Sequence, residues 1–195
     1  MYIKDRKNIV LCGRSGDGKS SIANMLTQGN IYRDSENYFK IGNSAKPVTE
    51  YLTANANEDF VVYDTIGFGS TGNNEAIKKI RQLFSMGRIP LHYICYVKRF
   101  KNLEDDVRLF EIFKKIFKDG EKNFVIIVTN SGPEWAKKEE NVKLIKEKLG
   151  NYPVISVDFP CNENENYYHV DRDQRTKSLE HLLNELSIME LNQKF

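Results

Sequence analysis

Short apolar runs alternate along this chain with longer stretches whose apolar residues recur at helical spacing. Asn8-Ile-Val-Leu-Cys12 is a strand-like run that ends in a glycine-rich turn, and Lys19–Gln28 beyond it has a helical pattern. Asp59-Phe-Val-Val-Tyr63 predicts a second strand, 91–97 a third, Phe124–Thr129 a fourth and 153–157 a shorter fifth. Helices are expected near 73–86, 103–118, 133–149 and 173–190, and 48–53 is a candidate edge strand. Strands apolar on both faces, alternating with helices, predict an α/β fold with a mostly parallel central sheet and helices on both faces. The polar, acidic segment 162–166 reads as a loop. No repeat or linker divides the chain, so 1–195 is expected to be a single domain with its core at about 7–186.

The turn after the first strand carries the strongest chemical signal. Gly13-Arg-Ser-Gly-Asp-Gly18-Lys19-Ser20 matches G-x-x-x-x-G-K-[ST] in full, with a strand before it and a helix after it. A phosphate chain is a dense cluster of negative charge. Glycines let backbone N–H groups converge on it without a Cβ in the way. The candidate phosphate cradle is therefore Gly13, Arg14, Ser15, Gly16, Asp17 and Gly18, with Ser21 just behind. Lys19 is placed to reach the β- and γ-phosphates and Ser20 to bind Mg²⁺, at the positive end of the following helix. The motif selects a nucleotide but not its base.

A second element follows at the end of the next clear strand. Asp64-Thr-Ile-Gly67 puts a carboxylate at the carboxyl end of a strand, where Mg²⁺ needs its second protein anchor. Gly67 can then offer a backbone N–H to the γ-phosphate. Phe68 stands where many small GTPases place a glutamine that orients the attacking water, and a phenyl ring cannot do that. Slow hydrolysis, or help from another group, is the expectation.

These residues resemble the AIG1-type G domains of the septin-like branch of P-loop GTPases, which include immunity-associated nucleotide-binding proteins. The resemblance is carried by the phosphate loop, by Asn43-Ser-Ala-Lys-Pro-Val-Thr49, by Asp64-Thr-Ile-Gly-Phe68, by Thr129 followed by Glu134, and by Arg99-Phe100 ahead of Glu104-Asp105-Asp106. It implies GTP/GDP and Mg²⁺ as cofactors and Thr49 as the switch threonine closing on Mg²⁺ and the γ-phosphate. It also implies G domains that associate face to face across the nucleotide. Lys101 and Ile66 depart from the family pattern, which has Thr and Pro there. The base-reading segment Thr129-Asn-Ser-Gly-Pro-Glu-Trp135 departs too. Guanine presents two donors, so a carboxylate is its natural reader: Glu134 is one candidate and Asn130 a second. Pro133 and Glu134 equally suit the start of a helix.

Segment 103–118 carries Leu103, Val107, Leu109, Phe110, Ile112, Phe113, Ile116 and Phe117. At 100° per residue these cover roughly 220° of arc, wider than the ~100° stripe of a surface helix. The sheet can cover one part, and the excess must meet neighbouring helices or another protomer. Arg99, just before this helix, is a candidate to enter a partner's site and stabilise γ-phosphate charge, alongside Lys19 and Thr49 as catalytic groups. It equally reads as one member of a solvated run, Lys98-Arg99-Lys101.

Composition narrows the surroundings. Twenty-nine basic and 27 acidic side chains leave a net charge of +2, which does not point to nucleic acid. No apolar run approaches the roughly 18–20 residues that span a bilayer, and no membrane insertion is expected. The three cysteines, Cys12, Cys95 and Cys161, have no metal-ligand spacing and read as buried thiols of a cytoplasmic protein. The motifs, with what the resemblance implies, predict a slow, Mg²⁺-dependent GTPase that pairs with a second copy of itself. A nucleotide-gated scaffold with negligible turnover is the first rival. A small ATP-using P-loop kinase is the second, and its only lid-like arginines would be Arg172 and Arg175.

Overall fold

A computed structural model describes residues 6–29, 39, 52–67, 74–85, 89–100, 103–160 and 168–193. Its six strands are β1 (Lys7–Gly13), β2 (Leu52–Ala56), β3 (Phe60–Thr65), β4 (Tyr93–Arg99), β5 (Phe124–Thr129) and β6 (Val154–Val157). They form one sheet in the order β2-β3-β1-β4-β5-β6. β1 lies between β3 and β4, and every pairing is parallel except β2 with β3. The helices are α1 (Lys19–Gln28), α2 (Asn74–Ser85), α3 (Leu103–Ile116), α4 (Pro133–Ala136), α5 (Glu139–Leu149) and α6 (Tyr168–Gln193).

Strand parity sorts the core into two halves. Val10 and Cys12 of β1, Ile94 and Tyr96 of β4, and Phe124, Ile126 and Val128 of β5 face α2, α3 and α5. Ile9, Leu11, Tyr93, Cys95, Val97, Val125 and Ile127 face the other way, onto α1 and α6. Both faces are apolar because both are covered, which is why these strands read as continuous apolar runs rather than alternating ones.

The broad apolar arc of α3 is met inside the chain. Leu109, Phe110, Phe113 and Ile116 are buried, and Ile80 and Phe84 of α2 and Ile145 and Leu149 of α5 complete the same cluster. Leu103, Val107 and Ile112 are partly buried against it. Phe113 lies at its centre, with ring centroids 4.6 Å from Phe124, 5.3 Å from Phe110 and 5.4 Å from Tyr96. The width of the arc therefore reflects three neighbours, the sheet and two helices.

The helix expected over 133–149 is broken in two. Gly132 and Pro133 start α4. The Ser156 hydroxyl then donates to the Gly132 carbonyl at 2.9 Å and accepts from the Ala136 N–H at 3.0 Å. The Trp135 carbonyl takes the Lys138 N–H and the Asn141 side-chain amide instead of continuing one helix. The edge strand expected at 48–53 begins at Leu52, four residues later, and is held by its register with β3 from Leu52↔Thr65 to Ala56↔Val61. α6 begins five residues earlier than expected and runs three residues further.

Phe113→Ala removes a fully buried ring and leaves a cavity among four aromatic neighbours. It is expected to cost about 3–5 kcal/mol in urea unfolding. A loss below about 1 kcal/mol would place the core's centre elsewhere.

Candidate functional site

β1 carries the chain up through the middle of the sheet and releases it at Gly13. A Cβ there would stand 2.1 Å from the carbonyl oxygen of Val97 on β4, so no side chain fits. Gly16 and Gly18 adopt left-handed backbone, with φ of 84° and 87°. The loop they shape leads directly into α1, which has no acidic residue in its first turn. Its N-terminal N–H groups form a positive end of the kind that binds anions.

Lys19 folds back over this loop, and its Nζ donates to the Arg14 carbonyl at 2.7 Å. Burial lowers its pKa, partly offset by the nearby carboxylates of Asp64 and Asp17. Asp17 accepts from the Arg14 N–H at 3.2 Å, and burial raises its pKa. Ser15 is exposed on the rim of the loop, whereas Ser20 and Ser21 are half-buried in the first turn of α1.

Asp64 comes up from β3 beside β1. It is buried, and its Oδ2 accepts from the Ser20 hydroxyl at 2.6 Å. Its Oδ1 is buried with no hydrogen-bond partner. Burial raises this carboxyl's pKa, and the Ser20 hydroxyl and Lys19 ammonium pull it back down. A carboxylate with a spare oxygen beside a serine hydroxyl is an all-oxygen donor set of the kind that hard cations such as Mg²⁺ take. Among the described residues there is no group of three or more His, Cys, Asp or Glu to cage a metal alone. Mg²⁺ commonly takes one or two protein ligands plus substrate phosphates, so the Ser20–Asp64 pair fits it. Gly67 packs against the loop: a Cβ on it would lie 2.2 Å from the Ser15 backbone nitrogen.

β5 closes the other side of the loop. The Thr129 hydroxyl lies 2.8 Å from the Asp17 carbonyl and 3.2 Å from the Lys98 carbonyl. Asn130 follows in left-handed backbone, φ 55°, and is exposed at the same rim. Glu134 lies in the first turn of α4, is largely exposed, and pairs with Lys137 at 2.6 Å. Of the two candidate base readers, Asn130 is thus directly linked through the backbone to the phosphate-loop anchor Thr129. Arg99 ends β4, opposite Thr129 in the register, and is exposed. Thr49 and Phe68 lie outside the described residues.

The family model for the AIG1 family matches residues 7–187. The chain belongs to the AIG1 family. Among curated proteins, none matches the sequence. Similar solved structures include Toc33 from Arabidopsis thaliana in complex with Mg²⁺ and GMPPNP, 17% identical with a TM-score of 0.62. A dimerization-deficient arginine-to-alanine mutant of the same Toc33 is 16% identical with a TM-score of 0.63. Each match covers 96% of this chain and 85% of the other. The AIG1 chain therefore has the P-loop G-domain fold expected from its motifs, of the GTP-binding type.

One expectation is corrected. Lys98 is not part of a solvated basic run: it is completely buried and pairs with Asp106 at 2.8 Å. Strand parity carried this information, because Lys98 follows Ile94 and Tyr96 on the face that meets α3. Helical spacing did the same for Asp106, three residues after Leu103 and four before Phe110. Thr129 as the anchor of Asp17 had no signal of its own, since it depends on two strands meeting the loop.

Gly13→Ala forces a Cβ into the backbone of a central strand and is expected to lower the melting temperature by roughly 3–10 °C. Gly16 has nothing within 4 Å of an added Cβ. Gly16→Ala should therefore lose only the cost of left-handed backbone, about 1–2 kcal/mol. A larger loss for Gly16→Ala than for Gly13→Ala in thermal melts would contradict this account of the loop.

Proposed function

We propose that this AIG1-family chain binds GTP and GDP with Mg²⁺ and hydrolyses GTP slowly, with turnover stimulated by pairing with a second copy. The observation that carries the reading is the convergence of Lys19, Ser20 and the unpartnered Asp64 oxygen on one glycine-shaped loop. The backbone from Gly13 to Gly18 and the α1 terminus hold the phosphates, with Lys19 turning from the Arg14 carbonyl to the phosphate oxygens. Ser20 and Asp64 would hold Mg²⁺, with Thr49 joining them from the switch segment. Bound Mg²⁺ supplies charge stabilisation on the phosphate oxygens. Gly67 borders the phosphate loop and would offer its backbone N–H to the γ-phosphate.

Guanine over adenine is supported by the family and by the GMPPNP complex of a structural neighbour. In this chain Asn130 is the better-placed reader, and Glu134 would have to leave Lys137 to take part. Self-association is supported by the exposed position of Arg99 and by the Toc33 neighbour whose arginine substitution impairs dimerisation. The arc of α3 lends no support, because its own chain covers it. The scaffold reading keeps one feature in its favour, the phenyl ring at Phe68. The kinase reading loses ground: Arg175 lies on α6 with its guanidinium 3.6 Å from the Met25 sulfur of α1.

Binding of GTP and ATP should be compared directly, together with turnover across a range of protein concentrations. GTP is expected to bind at least about tenfold more tightly, because a site built to pair with a base rejects the wrong one. Specific activity should rise with concentration, and Arg99→Ala should remove that rise; an inserted arginine contributes about 10³–10⁵ in rate. Turnover that stays flat and negligible would make the chain a nucleotide-gated scaffold instead. ATP preference would overturn the reading.

A further inference from the structure

Four charged side chains, Lys98, Asp106, Arg14 and Asp105, meet where the phosphate loop, β4 and α3 come together. Lys98 is completely buried and Asp106 nearly so. Lys98 Nζ lies 2.8 Å from Asp106 Oδ2 and donates to the Arg99 carbonyl at 2.8 Å. Arg14 approaches from the phosphate loop, with Nε 3.6 Å from Asp106 Oδ1 and Nη2 3.4 Å from Asp105 Oδ2. The Tyr96 hydroxyl stands 3.4 Å from the same Asp106 oxygen.

A buried ion pair is a poor way to hold a helix on a strand, because desolvation offsets the attraction and two apolar residues do as well or better. An apolar pair could not grip Arg14, and Arg14 is where the loop's internal contacts converge. Its N–H donates to Asp17, and its carbonyl accepts from Lys19. The carboxylate of Asp106 thus lies within ion-pair range, 3.6 Å, of the residue that organises both the acidic and the basic side chain of the loop.

We infer that Asp106 is a positioning residue for the phosphate loop, acting through Arg14. This rests on the nucleotide-binding reading above and adds a role for the first turn of α3. Asp106 anchors the start of the loop, so that the amides beyond it are set before a nucleotide arrives. Lys98 orients and neutralises Asp106, and through the Arg99 carbonyl it ties the exit of β4 to the same carboxylate. A preorganised loop has less ordering to undergo on binding, which shows as affinity.

The test is a double-mutant cycle read on affinity for GDP and for GMPPNP with Mg²⁺. Removing Asp106 alone leaves Lys98 as an uncompensated buried charge. Both are therefore replaced together in Lys98→Met/Asp106→Leu, with the fold checked by circular dichroism. This variant and Arg14→Ala should each bind about tenfold more weakly, and all three changes combined should do no worse than Arg14→Ala, because the paired replacement acts through Arg14. Should the paired replacement fail to fold, Lys98→Met/Asp106→Asn, which keeps the shape at 106 without leaving a buried charge, is expected to show the same loss and the same non-additivity. Losses that add, or unchanged affinity in a folded variant, overturn the inference and leave nucleotide binding standing. A wild-type chain that binds neither nucleotide overturns the functional reading and this inference together.

Discussion

The structure depends on one constraint: charges must be buried beneath a loop of backbone amides without neutralising one another completely. Asp64, Asp17 and Lys19 are all buried around the turn from β1 into α1. Burial pushes both carboxyls up and the ammonium down, and each opposite charge nearby resists that drift. Such groups are held only because rigid elements fix them. Asp64 sits on β3 in register with Leu11, and Lys19 opens a helix whose apolar side packs on the sheet. The arrangement leaves an oxygen of Asp64 without a partner, an unfavourable state for a merely structural carboxylate.

The sheet gives those charges their common address. Because β1 is central and its neighbours run parallel to it, Gly13, Asp64, Arg99 and Thr129 all arrive at one edge of the sheet. Ligands of open α/β sheets bind at that carboxyl edge. The aromatic-rich half of the core and the aliphatic half stabilise the platform from either side.

Much of this was legible in the amino-acid sequence because the signals were local. The phosphate loop declares itself through glycine spacing, and Asp64 through its place at a strand end. Covered strands reveal themselves as unbroken apolar runs. What was hidden depends on parity or on distant partners. Lys98 looks solvated among basic neighbours until β4 is given its faces, and Asp106 looks like one of three ordinary acids at a helix start. The break between α4 and α5 follows from Ser156, which is twenty residues away from the Ala136 amide it accepts from. The excess apolar arc of α3 was ambiguous for the same reason, since only the packed helices show what covers it.

The central claim is that Ser20 and Asp64 complete a Mg²⁺ site shared with nucleotide phosphates. It is tested most directly by the affinity for GMPPNP with and without Mg²⁺, in the wild type and in Ser20→Ala. The account predicts that Mg²⁺ tightens wild-type binding by about tenfold or more, a gain of about 1.4 kcal/mol, and that Ser20→Ala loses most of that gain. An affinity that ignores Mg²⁺, or a Mg²⁺ effect that survives Ser20→Ala intact, would contradict it.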